Sequence, residues 1–128
     1  MRMGFAAGEL ILEVGYGSDS DDVLRSEIAA MTGTELIEGQ TTEVVDAVIL
    51  WWRDGDGDLV DELMDALTYL TETGPIWVLT PKLGRDGHVE SSDIQDAAPI
   101  AGLSQTSTIA LAQDWAGTRL VARKVGKR

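Results

Sequence analysis

Apolar and polar residues alternate along the chain with strand and helix periods in turn. An apolar run over residues 10–14 predicts a first strand, and the glycine turn after it leads into a helix that starts near Ser20. Gly33 marks the end of that helix, because glycine is the common residue just past a helix C-terminus. Thr34 to Ile37 predicts a short second strand. The first third of the chain therefore predicts a strand, a helix and a strand.

The most continuous apolar run, residues 44–52, predicts a strand that is buried on both faces, as in the middle of a parallel sheet. An Asp-Gly-Asp-Gly-Asp segment follows it and leads into an amphipathic helix that Gly74 is expected to end. Residues 75–80 predict the next buried strand. A strand, a helix and a strand of these lengths form a βαβ unit.

The last third predicts a loop, a helix and a hairpin. Residues 82–90 are polar, and Ser92 with Gln95 fits a capping box for a helix that runs to about Ala101. Thr106 to Ala112 and Thr118 to Ala122 predict two antiparallel strands joined by a turn at residues 115–117. The expected fold is α/β: a three-layer, Rossmann-like, mostly parallel sheet with a C-terminal antiparallel hairpin at one edge.

The composition limits the fold to one domain and removes several chemistries. A chain of 128 residues has room for one core, so we expect a single domain over residues 1–122 and a basic tail over residues 123–128. The absence of cysteine excludes disulfides, thiolate zinc sites and thiol nucleophiles. The apolar runs are shorter than the ~20 residues that a bilayer span needs, and the N-terminus lacks a secretory pattern. We therefore expect a cytoplasmic protein with no membrane partner.

The charge balance disfavours nucleic acid as a partner. There are 22 acidic and 10 basic residues, for a formal net charge of −12, and a field of that sign repels phosphate backbones. Four of the ten bases, Arg123, Lys124, Lys127 and Arg128, lie in the last six residues. That tail is either a solvated terminus or a docking arm.

Four segments resemble an uncharacterised family of short bacterial, mainly actinobacterial, proteins known only as a domain of unknown function (number 3052). The segments are Val45 to Arg53, Ile76 to Lys82, Asp93 to Leu103 and Asp114 to Leu120. The order of predicted elements also resembles a shortened class I methyltransferase sheet. The family resemblance implies no established activity, cofactor or catalytic residue.

The methyltransferase-like pattern implies one cofactor-binding hypothesis. Methyltransferases of this fold hold their cofactor with a glycine-rich turn after the first strand and an acid that ends the second, which here are Gly15, Gly17 and Glu38. A third glycine is missing, and the carboxylates that follow the turn are unfavourable for an approaching anion. We therefore expect no cofactor and interpret the turn as the entry to a capped helix.

Two other polar features are expected to be structural. The segment from Asp54 to Asp58 has the oxygen spacing of a calcium loop, but Leu59 stands where that loop needs glycine. Asp58 is instead expected to cap the following helix. His88 is the only histidine and lies in a polar loop, so we expect it to be solvated and expect no metal site.

The candidate binding residues follow the two buried strands of the βαβ unit. Arg53 follows one strand and Lys82 and Arg85 follow the next, so all three are expected at the carboxyl edge of the sheet, where open α/β sheets bind ligands. Three cations at one edge of an acidic protein favour a small anion or a carboxylate-bearing protein. The alternative is that they neutralise nearby aspartates. Trp51 and Trp52 must face opposite sides of the sheet, and Trp52 is included in the candidate set as a residue lining the edge.

Three functional hypotheses follow from these residues. The first is a noncatalytic binding or regulatory module that uses the carboxyl edge, since no catalytic constellation is evident. The second is a small-molecule-binding enzyme or sensor related to class I methyltransferases, with its pocket at Gly15 and Gly17. The third is a homodimer in which the hairpin edge, Thr106 to Ala112, pairs with a second copy.

Overall fold

A computed structural model describes residues 3–38 and 41–123 of the chain. It contains one six-stranded sheet with helices on both faces. The elements in chain order are β1 (Ile11–Val14), α1 (Asp22–Thr32), β2 (Ile37–Glu38), β3 (Ala47–Trp51), α2 (Leu59–Leu67), β4 (Ile76–Pro81), α3 (Ser91–Ile100), β5 (Leu103–Ala110) and β6 (Trp115–Ala122).

The sheet has the strand order β2-β1-β3-β4-β6-β5. The first four strands in this order pair in parallel, and β6 runs antiparallel to both β4 and β5. The βαβ unit of β3, α2 and β4 forms as predicted, with adjacent parallel strands. The predicted fold class, a mostly parallel Rossmann-like sheet with a C-terminal antiparallel hairpin, is confirmed.

Two apolar cores lie on opposite faces of the sheet. Helices α2 and α3 cover one face, which we call the two-helix face, and α1 covers the other, the one-helix face. Trp52 is buried in the two-helix core and Trp51 in the one-helix core, so the prediction that adjacent tryptophans face opposite sides is confirmed. All five residues of β3 are buried, as expected for a strand in the middle of the sheet.

Capping residues determine where α1 begins and ends and where α2 begins. Asp21 caps α1 by accepting from the Leu24 N–H at 2.9 Å, and Gly33 ends that helix in the left-handed region at φ 79°. Asp58 caps α2, as predicted, by accepting from the N–H groups of Val60 and Asp61. The first turn of each helix therefore finds a side-chain acceptor.

Helix α2 ends earlier than the sequence predicts. It stops at Leu67 rather than at Gly74, because the chain after it hydrogen-bonds to the segment before β3. The Val45 N–H donates to the Tyr69 carbonyl at 2.8 Å, and the Thr71 N–H donates to the Val45 carbonyl at 3.0 Å. Likewise, β2 occupies Ile37–Glu38 rather than residues 34–37. In both places, pairing with a distant segment determines the boundary.

The last helix and the hairpin also differ in detail. Helix α3 begins at Ser91 with Glu90 as its N-cap, so Ser92 lies inside the first turn and the predicted capping box does not form. Residues 115–117, predicted as a turn, are the start of β6. Gly117 is needed there because Leu111 and Trp77 pack where its Cβ would stand. Of the tail, only Arg123 lies within the described residues.

Within the described residues, no helix is both long and apolar enough to cross a membrane.

Candidate functional site

Arg53 lies in the crevice where the strand order reverses. β1 is flanked by β2 on one side and β3 on the other, and open α/β sheets bind ligands beside the carboxyl ends of strands at such a point. Arg53 follows β3, and its Nη1 donates to the Gly15 carbonyl at 2.8 Å and to the Trp51 carbonyl at 3.3 Å. The guanidinium thus joins the ends of β1 and β3.

Asp19 holds the other side of the guanidinium. Nε of Arg53 donates to Asp19 Oδ2 at 2.9 Å, and Nη2 donates to Asp19 Oδ1 at 2.7 Å. The hydrogen bond from Arg53 lowers the pKa of Asp19, and the same pair raises the pKa of Arg53. The Arg53 side chain is only 17% exposed, so its guanidinium is held mainly by groups of the protein itself.

Trp115 fixes the loop that carries Asp19. Its Nε1 donates to the Asp19 carbonyl at 3.1 Å, and the Arg53 guanidinium lies 5.4 Å from its ring centroid. Trp115 also packs edge-on against Trp51, with ring centroids 4.8 Å apart. The ends of β1, β3 and β6 are therefore joined by one arginine, one aspartate and two indoles.

Of the two glycines in the turn after β1, Gly15 is required by this packing and Gly17 is favoured by it. Gly15 has φ +83°, and a Cβ there would lie 2.5 Å from the Trp51 carbonyl oxygen. A Cβ on Gly17 would lie 3.1 Å from Nη2 of Arg53. Both glycines thus allow the turn to approach β3 and Arg53 closely. That close approach accounts for the partial glycine motif without a ligand.

Glu38, the acid at the end of β2, is bonded to Arg25 of α1. Nε of Arg25 also donates to both carboxylate oxygens of Glu13 at 2.8 and 2.9 Å, and Trp51 Nε1 donates to Glu13 at 3.0 Å. Burial lowers the pKa of Arg25, but the two carboxylates outweigh that effect and raise it. Glu13 lies in the core with its carboxylate fully satisfied.

Glu13 and Arg25 are not among the residues that the sequence pattern identifies. Glu13 lies two residues after Ile11 on a strand whose other residues are apolar, so its carboxylate shares the core-facing side of the strand with Ile11. That pattern predicts a buried carboxylate, and a buried carboxylate needs a partner. The identity of the partner could not be predicted from the sequence, because Arg25 lies twelve positions after Glu13, on a different element.

Lys82 and Arg85 lie on the β4–α3 loop but border different clefts. Arg85 is 58% exposed and pairs with Asp114 at 3.2 Å, beside a cleft of about 340 Å³ that Asp19 and Trp115 also line. Lys82 borders a groove of about 330 Å³ on the two-helix face. The structure therefore separates the three cations that the sequence grouped.

Trp52 and His88 are less exposed than expected. Trp52 is 6% exposed and belongs to the two-helix core, so its indole contributes little surface to the carboxyl edge. His88 is half-buried, and its Nδ1 lies 2.9 Å from the Pro81 carbonyl oxygen, to which it donates. His88 is thus a residue that anchors the loop rather than a solvated one.

Sequence comparisons find related proteins of unknown function. Residues 1–124 match a family described as a protein of unknown function (DUF3052). Uncharacterised proteins of Mycobacterium bovis and Mycobacterium tuberculosis are 50% identical over 129 residues, which cover 99% of this chain and 81% of each relative.

Solved methyltransferase structures share the architecture. A ribosomal protein L11 methylase from Lactobacillus delbrueckii subsp. bulgaricus has a TM-score of 0.61 at 14% identity, over 96% of this chain and 74% of that one. A SAM-dependent methyltransferase from Aquifex aeolicus has a TM-score of 0.58 at 11% identity, over 93% and 85%. At such identities the likeness concerns the fold alone.

Proposed function

The chain belongs to the DUF3052 family of proteins of unknown function and has a methyltransferase-like fold. Within that fold, we propose that it is a noncatalytic binding or regulatory module. It recognises a protein or a small anionic ligand at the carboxyl edge of the sheet, through Lys82 and Arg85.

The main support for a noncatalytic module is that Arg53 fills the crevice in which this kind of fold usually binds its ligand. The crevice between the ends of β1 and β3 is the place where a sheet of this kind holds a ligand, and here an internal guanidinium occupies it. The carbonyls of Gly15 and Trp51 accept from Arg53, and Asp19 binds it in a bidentate arrangement. A bidentate arginine–carboxylate pair is among the stronger polar contacts in proteins, so a ligand would have to displace it to enter.

The ion pair between Glu38 and Arg25 also supports a noncatalytic module. In the methyltransferase hypothesis this acid and the glycine turn would hold a cofactor. In this chain the acid binds Arg25, and the glycine turn binds Arg53. Two arginines of the chain thus satisfy the polar groups that the alternative, an enzyme or sensor related to class I methyltransferases, needs for its ligand.

Loop 82–90 supplies the accessible positive charge at this edge. Arg85 is exposed and Lys82 is half-exposed, whereas Arg53 is enclosed. Lys82 and Arg85 share this loop with Asp86 and Glu90, so the loop is formally neutral in a chain whose net charge is −12. A carboxylate or phosphate on a partner would compete with Asp114 for Arg85, and a second acidic group would meet Lys82 at the groove that Lys82 borders.

Charge reversal on the loop tests the proposal. Copurification from the native host should recover a partner with the wild-type chain and lose it with Lys82→Glu, Arg85→Glu. Circular dichroism should show that the fold is retained, because exposed substitutions usually cost within about 0.5 kcal/mol. The matched control is Lys127→Glu, Arg128→Glu in the tail, which should keep the partner. If the tail pair loses the partner and the loop pair keeps it, the proposal is wrong.

Calorimetry with S-adenosylmethionine tests the alternative. We expect binding no tighter than roughly millimolar, a free energy of about −4 kcal/mol, because Arg53 and Arg25 occupy the polar groups of that site. Micromolar binding would favour the methyltransferase-related function.

A further inference from the structure

We propose that the groove beside Lys82 on the two-helix face binds a small aliphatic carboxylate. The groove lies between loop 82–90, the start of α3 and the strands β4, β6 and β5. This inference rests on the proposed function and deepens it, because it assigns a ligand class to the Lys82 side of the carboxyl edge.

Threonines from three strands line the groove. Thr80 of β4 is 5% exposed and Thr118 of β6 is 4% exposed, and both belong to an otherwise apolar face. Thr108 of β5 pairs with Thr118, and their hydroxyl oxygens are 3.5 Å apart. None of the hydrogen bonds among the described residues uses the Thr80 hydroxyl. Among the described residues, the enclosed side-chain atom without a partner is Trp77 Nε1, so the Thr80 hydroxyl is reached from the groove and is free to bond to a ligand atom there.

The rim of the groove favours a negative charge. Lys82 lies there and has no ion-pair partner within residues 3–38 and 41–123. Helix α3, ten residues long, begins at Ser91 on the same rim, and its N-cap Glu90 makes no side-chain capping bond. The first N–H groups of a helix favour an anion when no side chain caps them.

Two carboxylates of the protein lie near this rim: Glu90, and the exposed Asp93 in the first turn of α3. The Glu90 side chain is 72% exposed and lies 3.7 Å from Nε2 of His88. An exposed charge interacts weakly across water and is screened within about 8 Å at physiological ionic strength. The buried end of the groove, with Thr80 and Thr118, is therefore less affected by Glu90 than the solvent side is.

The remaining walls are apolar. Val89 and Ile94 are buried on the α3 side, and Ala116 lies on the β6 side. The volume, about 330 Å³, is near the lower end of the roughly 300–1,000 Å³ usual for small-molecule pockets. A short hydrocarbon chain fits such walls, and a carboxylate at its end can accept from the threonine hydroxyls and Lys82. A larger anion would lose the apolar contacts.

Titration of the full chain with butyrate tests this site. In heteronuclear NMR, butyrate should shift the amide signals of Thr80, Thr108, Thr118 and Ile94. Butyramide and butylammonium, at the same ionic strength, should shift them at least about tenfold less at equal concentration. Equal responses to butyramide would overturn the carboxylate assignment, and no response to butyrate at about tens of millimolar would overturn the site.

Variants separate this site from general electrostatics. Thr80→Val, which keeps the side-chain shape, and Lys82→Met should each weaken butyrate binding at least about tenfold. Arg119→Met removes one cation from the opposite face of β6 and should leave binding unchanged. If Thr80→Val fails to fold by circular dichroism, Thr118→Val replaces it. Unchanged binding in a folded threonine variant, or equal loss in Arg119→Met, would contradict the proposal.

The outcome is distinguishable from that of the proposed function. If butyrate does not bind but the loop reversal still loses the partner, the ligand assignment fails and the binding module stands. If butyrate binds and the loop reversal keeps the partner, the ligand site stands and the partner surface lies elsewhere.

Discussion

Replacing Arg53 with alanine should destabilise the fold measurably, although this residue follows a strand in a polar segment. The guanidinium donates to two strand-end carbonyls and to the Asp19 carboxylate. A hydrogen bond to a charged group contributes about 1.5–3 kcal/mol in mutational series, whereas an exposed ion pair contributes less than about 1 kcal/mol. Water would solvate the freed carbonyls in the opened crevice, so the separate contributions do not add. We expect a loss of about 2–3 kcal/mol in the free energy of unfolding.

Chemical denaturation, followed by tryptophan fluorescence and far-UV circular dichroism, measures this loss directly. Trp51 and Trp115 lie beside the guanidinium and report on the same region. For a domain of this size, a loss of about 2–3 kcal/mol should also lower the melting temperature by roughly 10 °C.

Arg85→Ala is the matched control, because Arg85 is exposed and, within the residues that the structure describes, its ion pair is with the exposed carboxylate of Asp114. It should cost within about 0.5 kcal/mol. Arg53→Lys should fall between wild type and Arg53→Ala, since lysine keeps the charge but cannot reach both carbonyls and the carboxylate at once. If Arg53→Ala were as stable as Arg85→Ala, the guanidinium would not hold the strand ends together. The structural role assigned to it would then be refuted.

Three further predictions follow from the same geometry. Gly15→Ala should lower the free energy of unfolding by about 2 kcal/mol or more, because it adds a clash with the Trp51 carbonyl to the strain of positive φ. The control Gly84→Ala, with open space around its Cβ, should lower it by only about 1 kcal/mol, and denaturant unfolding compares the two. Because its folded-state pKa is lowered, Asp19 stabilises the fold above its unfolded pKa of about 3.9 and loses that contribution as the pH falls through the folded value. In unfolding measured from pH 7 downward, the stability difference between wild type and Asp19→Asn should therefore be constant at neutral pH and begin to shrink below about pH 4. A difference that stays constant in acid would contradict the pairing. The edge strand β5 is eight residues long and uncharged, so we expect a second copy to pair there, and Ser107→Lys should shift sedimentation toward the monomer.

The local pattern of the chain was sufficient for the elements and their order. The apolar run around β3 predicted a strand buried on both faces, because only a central strand of a parallel sheet buries every residue. Asp58 and Gly33 predicted the start of α2 and the end of α1, since capping depends on residues within one helical turn. The opposite placement of Trp51 and Trp52 follows from the two-residue period of a strand alone.

Helix and strand boundaries that depend on contacts with distant segments could not be predicted from the sequence. Gly117 was expected in a turn, but it lies in β6 because Trp77 and Leu111 pack against it. Helix α2 stops before Gly74 because residues after it pair with Val45. A glycine has the same local signal whether it ends an element or allows close packing, so only the tertiary contact distinguishes the two.

The candidate site shows the same division. The sequence placed Arg53, Lys82 and Arg85 at one edge of the sheet, and that placement needs only the strand order. Which of them is accessible depends on Asp19, which lies 34 residues before Arg53 and reaches it only when β1 and β3 are neighbours. The threonines of the groove come from β4, β5 and β6 in the same way. Local periodicity thus determined the layers of this protein, while the pairing of distant side chains, set by the tertiary structure, decided which polar groups remain free to bind.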